Sequence, residues 1–108
     1  MDTDDIVLIF TTFPDDDRAE ALARTLVEER LAACVNVHGP MASHYRWKGA
    51  VERDVERQVV IKTTRRLVAA VEARVHAVHG YELPEFLVVT ADGGSDKYRG
   101  WIREQVGP

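Results

Sequence analysis

An α+β fold with elements in the order βαββαβ and a short helix at the end is predicted by three features of the sequence. Stretches rich in β-branched and aromatic residues at 6–12, 33–47, 51–63 and 86–90 read as strands, because such side chains fit a pleated surface. Between them, Ala19, Leu22, Ala23 and Leu26, and then Leu67, Val71, Val75 and Val78, recur at helical spacing. The two longest strands are separated only by Lys48-Gly49, a tight hairpin turn in which Gly49 supplies a positive φ. With 108 residues, the chain is one domain over 1–108, near the size at which association adds useful burial.

Each element follows from its own chemistry. The first strand ends at Phe13-Pro14, and Asp15, Asp16 and Asp17 precede the first helix, where acids cap free N–H groups and complement the dipole. No spaced oxygen-ligand loop follows them, so caps are preferred to a metal cluster. Glu28, Glu29 and Arg30 close that helix, and Glu29 to Asn36 (E-R-L-A-A-C-V-N) is where the chain leaves the surface for the core.

In the second strand Val35 and Val37 point one way while Cys34, Asn36 and His38 point the other. Gly39-Pro40 interrupts the ladder and predicts a bulge before 41–47. On the return strand Val51, Val55, Val59 and Ile61 share a face opposite Glu52, Glu56, Gln58 and Lys62. Thr63-Thr64 offers a cap for the second helix, and Gly80 suits a left-handed position past its end. Pro84 excludes helix from 81–85, and Ser95 caps a last helix with Tyr98, Trp101 and Ile102 on one face.

This order is the ferredoxin-like split βαβ arrangement, a sandwich of two helices on one face of an antiparallel sheet with a long β2-β3 hairpin. Residues 6–10, 59–61 and 86–89 are apolar at successive positions, so both sheet faces need cover. The terminal helix is too short to supply it. A closed homo-oligomer is therefore expected.

Composition narrows the function. Apolar residues at 45%, charged residues at 30% and a net charge of −4 describe a soluble domain without a basic face, so neither nucleic acid nor membrane is the expected partner. The acidic N-terminus differs from a signal peptide, and a single cysteine suits a reducing compartment, so cytoplasmic residence is expected. Ser43 and Ser95 lack a nucleophile context, and no phosphate-cradling or dinucleotide motif occurs, so an enzyme is not expected. His38 shares a strand face with Cys34 but lies about 13 Å along it, beyond direct pairing.

Glu72, His76 and His79, spaced four and three apart, line one helix face and could hold a metal, although a solvated stripe is the commoner outcome. His38 and His44 read as surface histidines. Lys62-Thr63-Thr64-Arg65-Arg66 could hold an anion at a helix start, or the arginines could meet water and nearby acids. Lys62 ends an apolar strand and calls for a carboxylate such as Glu82 or Glu85.

Five stretches together resemble the CutA family of divalent-cation tolerance proteins across nearly the whole chain. They are L-V-E-E-R-L-A-A-C-V-N (26–36), Y-x-W-K-G (45–49), I-K-T-T (61–64), H-G-Y-E-L-P-E (79–85) and Y-x-x-W (98–101). The resemblance implies a homotrimer similar in architecture to PII signalling proteins, linked to tolerance of copper and other divalent cations. It implies an inter-subunit cleft near Cys34, Asn36, Trp47, Glu56, Lys62, Tyr81, Glu82, Pro84 and Glu85, with His79 matching the family's histidine. Some copper-binding members carry a cysteine where this chain has Thr11 and a second histidine where it has Val78, and Gly80 replaces a usual proline.

The leading expectation is weak binding of copper or another divalent cation through His79, Cys34 and His76. The alternative is a PII-like sensor that binds a small anion in the cleft through Lys62 and the Tyr81-Glu82 segment. Cys34 is read as a buried cleft residue.

Overall fold

The computed structural model describes residues 2–108. Its elements are β1 (Ile6–Pro14), α1 (Arg18–Glu28), β2 (Cys34–Trp47), β3 (Ala50–Thr64), a 3-10 turn (Arg65–Leu67), α2 (Val68–Val78), β4 (Leu87–Thr90) and α3 (Asp96–Gln105). The four strands form one antiparallel sheet in the order β2-β3-β1-β4. β1 is central, hydrogen-bonded to β3 on one side and β4 on the other. That position explains its uninterrupted apolar run, since a central strand has no wet edge.

One sheet face is dry. Val7, Ile9 and Phe13 of β1 and Val59 and Ile61 of β3 are fully buried against Ala19, Leu22 and Leu26 of α1 and Val71 and Val75 of α2. Each large apolar side chain removed from water here contributes about 1.5–3 kcal/mol. The opposite face carries Leu8, Phe10, Cys34, Asn36, Val60 and Lys62, all half-buried, and Leu87 and Val89, which are exposed. α3 covers only one end of it, burying Ile102 and Val106 with Ile6 and Ala33.

The start of α1 uses one of the three acids as a local cap. Asp16 accepts from the Arg18 backbone N–H at 3.0 Å and from its guanidinium, whereas Asp17 makes no cap and Asp15 pairs with Arg57. At the other end Arg30 adopts φ 59° and Leu31 N–H closes onto Leu26 C=O at 2.9 Å, reversing the chain toward β2. Gly107 N–H and the Arg30 guanidinium tie the C-terminal segment to that reversal.

The bulge expected at Gly39-Pro40 is present between His38 and Met41. Gly39 has φ +120°, and a Cβ there would meet Glu56 C=O at 3.0 Å and Arg57 Cα at 3.1 Å, so this position requires glycine. Two residues of β2, Gly39 and Pro40, oppose one of β3, Arg57, which switches the side-chain parity. Before it Cys34, Asn36 and His38 share the face of Lys62, Val60 and Gln58; beyond it Met41, Ser43 and Tyr45 join that face opposite Glu56, Asp54 and Glu52. At the tip Lys48 (φ 49°) and Gly49 (φ 83°) both take left-handed conformations, the geometry that a two-residue hairpin needs.

β1 ends opposite Glu56, so beyond that point the hairpin strands pair only with each other. Val51 and Val55 share the face of Val59 and Ile61 as expected, yet are 70% and 45% exposed because no helix reaches them. The projecting ribbon stretches the domain to 44 × 26 × 22 Å and raises its radius of gyration to 14.5 Å, against roughly 13 Å for a compact chain of this length.

Three local expectations are corrected. Thr64 stands at the start of the 3-10 turn without a side-chain cap, and Thr63 instead donates to Leu31 C=O at 2.7 Å, because both side chains are buried. Gly80 is not left-handed: α2 ends with His79 in an extended conformation at ψ 135°. Val78 is 43% exposed rather than part of the core stripe. The Ser95 cap stands, its Oγ accepting from Tyr98 N–H at 3.2 Å.

Candidate functional site

The projecting hairpin and the segment after α2 border an open cleft of about 920 Å³. Three stretches build it. The parity switch in β2 presents Met41, Ser43 and Tyr45, β3 presents Asp54, Glu56 and Gln58, and residues 80–87 form the remaining wall. Pro84 keeps that wall extended, since a helix continuing from α2 would need its missing N–H.

His79 fixes the wall to the sheet. Its Nε2 meets the Thr12 carbonyl, which only accepts, so Nε2 carries the proton; Nδ1 accepts from Tyr81 N–H at 3.2 Å. The ring stacks on Phe13 at 4.4 Å and lies 4.5 Å from the Tyr81 ring. Burial, with the Arg18 charge as a smaller contribution, lowers the His79 pKa, so the neutral tautomer is favoured.

Tyr81, placed by that contact, donates its hydroxyl to Glu56 Oε2 at 2.8 Å. Burial and then the Glu56 carboxylate push the phenol pKa up. Tyr45 donates to Asp54, which raises its pKa to about 12. Gln58 donates to both Thr11 C=O and Glu85 Oε2, linking the floor to the wall. Glu56 is only 8% exposed although it carries a carboxylate. Asp54, Glu56, Glu82 and Glu85 face this cleft with Arg46 as the one lysine or arginine among its lining residues, so its field is negative.

Trp47, Glu56, Tyr81, Glu82, Pro84 and Glu85 line this cleft within one chain, whereas Cys34, Asn36 and Lys62 do not, and Cys34 is half-buried rather than buried. Lys62 meets neither Glu82 nor Glu85. Its ammonium lies 5.8 Å from the Tyr98 ring centroid, while Glu82 pairs with Lys48 at 3.6 Å and Glu85 bonds Gln58. The cation sits one strand end away from the two acids, which no local pattern reveals. Arg65 and Arg66 pair with Asp5 and Asp4.

The three candidate metal ligands do not gather in one chain. Cys34 pairs with Lys62, which pairs with Leu8, whereas His79 is bonded to Thr12, four residues or about 13 Å farther along β1. His76 faces Glu72 at 3.9 Å and the edge of Phe86, and His79 has left the helix, so the Glu-His-His stripe is shortened to its first two members. Among the described residues no group of three or more His, Cys, Asp or Glu side chains could hold a metal ion. Asp54, Tyr45 and Gln58 were not among the expected cleft residues. Continuing the even-numbered alternation of β3 back from Glu56 would have found Asp54; Tyr45 needed the size of the bulge.

The sequence profile of the CutA1 divalent ion tolerance proteins matches residues 7–105. The divalent-cation tolerance protein CutA of Thermus thermophilus is 40% identical over 104 residues, covering 96% of this chain and 99% of the relative. Human protein CutA is 41% identical over 95 residues, covering 88% of this chain and 53% of the relative. The chain thus spans about half the length of its human relative, as it does of the chloroplastic Arabidopsis thaliana one at 53%. The crystal structure of CutA from Xylella fastidiosa superposes with a TM-score of 0.90 at 43% identity, covering 95% of this chain and 99% of that one. Profile, sequence and fold agree over nearly the whole chain, and the chain belongs to the CutA1 divalent ion tolerance protein family.

Proposed function

We propose that this chain is a non-enzymatic divalent-cation tolerance protein that binds copper or another divalent cation weakly, working as a ferredoxin-like homotrimer in the cytoplasm. The carrying observation is the negative cleft, in which carboxylates outnumber the Arg46 guanidinium even with Glu82 paired to Lys48, and whose wall His79 anchors without lining it. It favours a cation over the small anion of the PII-like alternative, whose key residue Lys62 lies outside it. Weak binding follows from the ligand geometry: a metal at His79 must displace Tyr81 N–H from Nδ1, and a resident ion chelated within one chain does not fit. Cys34 and His76 can join His79 only across a subunit boundary or through rearrangement.

The trimer is supported by the unpaired hairpin and by the exposed Leu87 and Val89 beside half-buried Leu8 and Phe10, which association would cover. Relatives carry chloroplastic and periplasmic names, so the cytoplasmic assignment rests on the lone cysteine. Among the described residues no helix is long and apolar enough to cross a membrane.

Calorimetry with copper(I), copper(II) and zinc tests the cation reading. Weak heats in the wild type, reduced in the His79→Ala, Cys34→Ser double variant, are expected. Identical isotherms would remove those two residues from the site, and no heat with any of the ions would overturn cation binding. Light scattering should return three times the 12.2 kDa chain mass.

A further inference from the structure

We propose that Asp92-Gly93 is a site of spontaneous covalent modification, where aspartate isomerises to isoaspartate and loosens the docking of α3. Among the seven glycines of the chain, Gly93 alone follows an aspartate or asparagine. Asp92, Gly93 and Gly94 are all exposed and lie between two tethers. On one side Ala91 N–H donates to Ile6 C=O at 2.9 Å, and on the other Ser95 caps α3, its Oγ accepting from Tyr98 N–H at 3.2 Å. The Asp92 carboxylate enters none of the ion pairs of the described residues, and Gly93 N–H enters none of their turn or cap hydrogen bonds. Both reacting groups are therefore free, and two consecutive glycines let the backbone nitrogen swing onto the carboxyl.

The reaction needs no partner but water. The Gly93 nitrogen attacks Asp92 Cγ, its proton and the carboxyl hydroxyl leave as water, and the new N–C bond closes a five-membered succinimide. Water then adds to either ring carbonyl. Addition at Cγ restores aspartate; addition at the main-chain carbon breaks its bond to the Gly93 nitrogen and leaves the chain running through Cβ and Cγ. Water is lost once and regained once, and nothing is oxidised or reduced. The product lengthens the main chain by one carbon within the three-residue span beside the Ser95 cap, whose C=O also accepts from Arg99 N–H at 3.0 Å. Because α3 holds Ile102 and Val106 on Ile6 and Ala33, a disturbed cap weakens the apolar cover of that end of the sheet. The site is remote from the cleft: Ile6 begins β1, whereas the ribbon projects past Pro14, about 26 Å farther along the strand.

The test is warm incubation of the purified full chain at neutral pH, followed by an isoaspartyl methyltransferase with labelled S-adenosylmethionine. A synthetic Ala91–Ser95 peptide is treated alongside. Tryptic cleavage after Arg74 and Lys97 isolates residues 75–97, and electron-transfer fragmentation locates the β-linkage at Asp92 or Asp96. Label should accumulate at Asp92 in the wild type and be lost in Asp92→Glu, whose ring would need six members. Gly93→Ala, whose Cβ meets nothing within 4 Å, should slow the reaction about fivefold. The separated isoaspartyl protein should melt about 5 °C below the unreacted chain. No label in the wild type while the peptide reacts, label confined to Asp96, or an equal rate in Gly93→Ala would overturn the site. Coincident melting of the two forms would overturn its link to α3.

Discussion

Replacing His79 by alanine separates a structural histidine from a metal ligand. The imidazole donates to Thr12 C=O, accepts from Tyr81 N–H and stacks on Phe13 at 4.4 Å. Two part-buried hydrogen bonds at about 1 kcal/mol each and an aromatic pair at about 1 kcal/mol give an expected loss of about 3 kcal/mol. For a chain of this length that lowers the melting temperature by about 12 °C. Urea denaturation and calorimetry in the presence of a chelator, at one protein concentration, read it directly. The wild type carries a second signature, because a proton added at Nδ1 would face the Tyr81 N–H. His79's folded pKa is depressed by burial, so its contribution is present above the unfolded value of about 6.5 and is lost as pH falls through the folded one. His79→Ala should flatten that part of the stability profile. If His79→Ala loses less than about 1 kcal/mol in chelator, and differs from wild type only once metal is added, the structural role is wrong.

Two further substitutions probe what builds and supports the cleft. Gly39→Ala places a Cβ 3.0 Å from Glu56 C=O at φ +120° and should cost about 2–3 kcal/mol, with altered tryptophan near-UV dichroism as the hairpin shifts; an unchanged urea midpoint would show that the bulge relaxes freely. Thr11→Val removes a buried hydroxyl that has no hydrogen-bond partner among the described residues and should raise stability by about 0.5–1 kcal/mol, while a fall in the urea midpoint would reveal a partner for that oxygen.

Much of the fold was legible because its signals are local. The helical stripe of Ala19, Leu22 and Leu26, the two-residue turn at Lys48-Gly49, the bulge at Gly39-Pro40 and the Ser95 cap each depend on residues within a few positions of one another. The corrected positions depend on distant partners. Thr63 does not cap α2 because Leu31 C=O, 32 residues away, takes its hydroxyl. Gly80 is not left-handed because His79, itself extended, leaves the helix to reach Thr12, 67 residues away. Nothing near either residue encodes those contacts.

The candidate site divides in the same way. Alternation along β3 already placed Glu56 and Gln58 on one face, and Pro84 already required an extended wall, so the sequence by itself determined the chemistry available: carboxylates, phenols and an indole at the hairpin. Tertiary structure decided how these groups meet. A bulge of defined size turned Tyr45 onto the face of Asp54 and Glu56, and sheet order set Lys62 beside Tyr98 rather than beside the acids. Side-chain periodicity reports which residues share a face of one element; which faces come together is settled by long-range pairing and packing, which leave no mark on the local pattern.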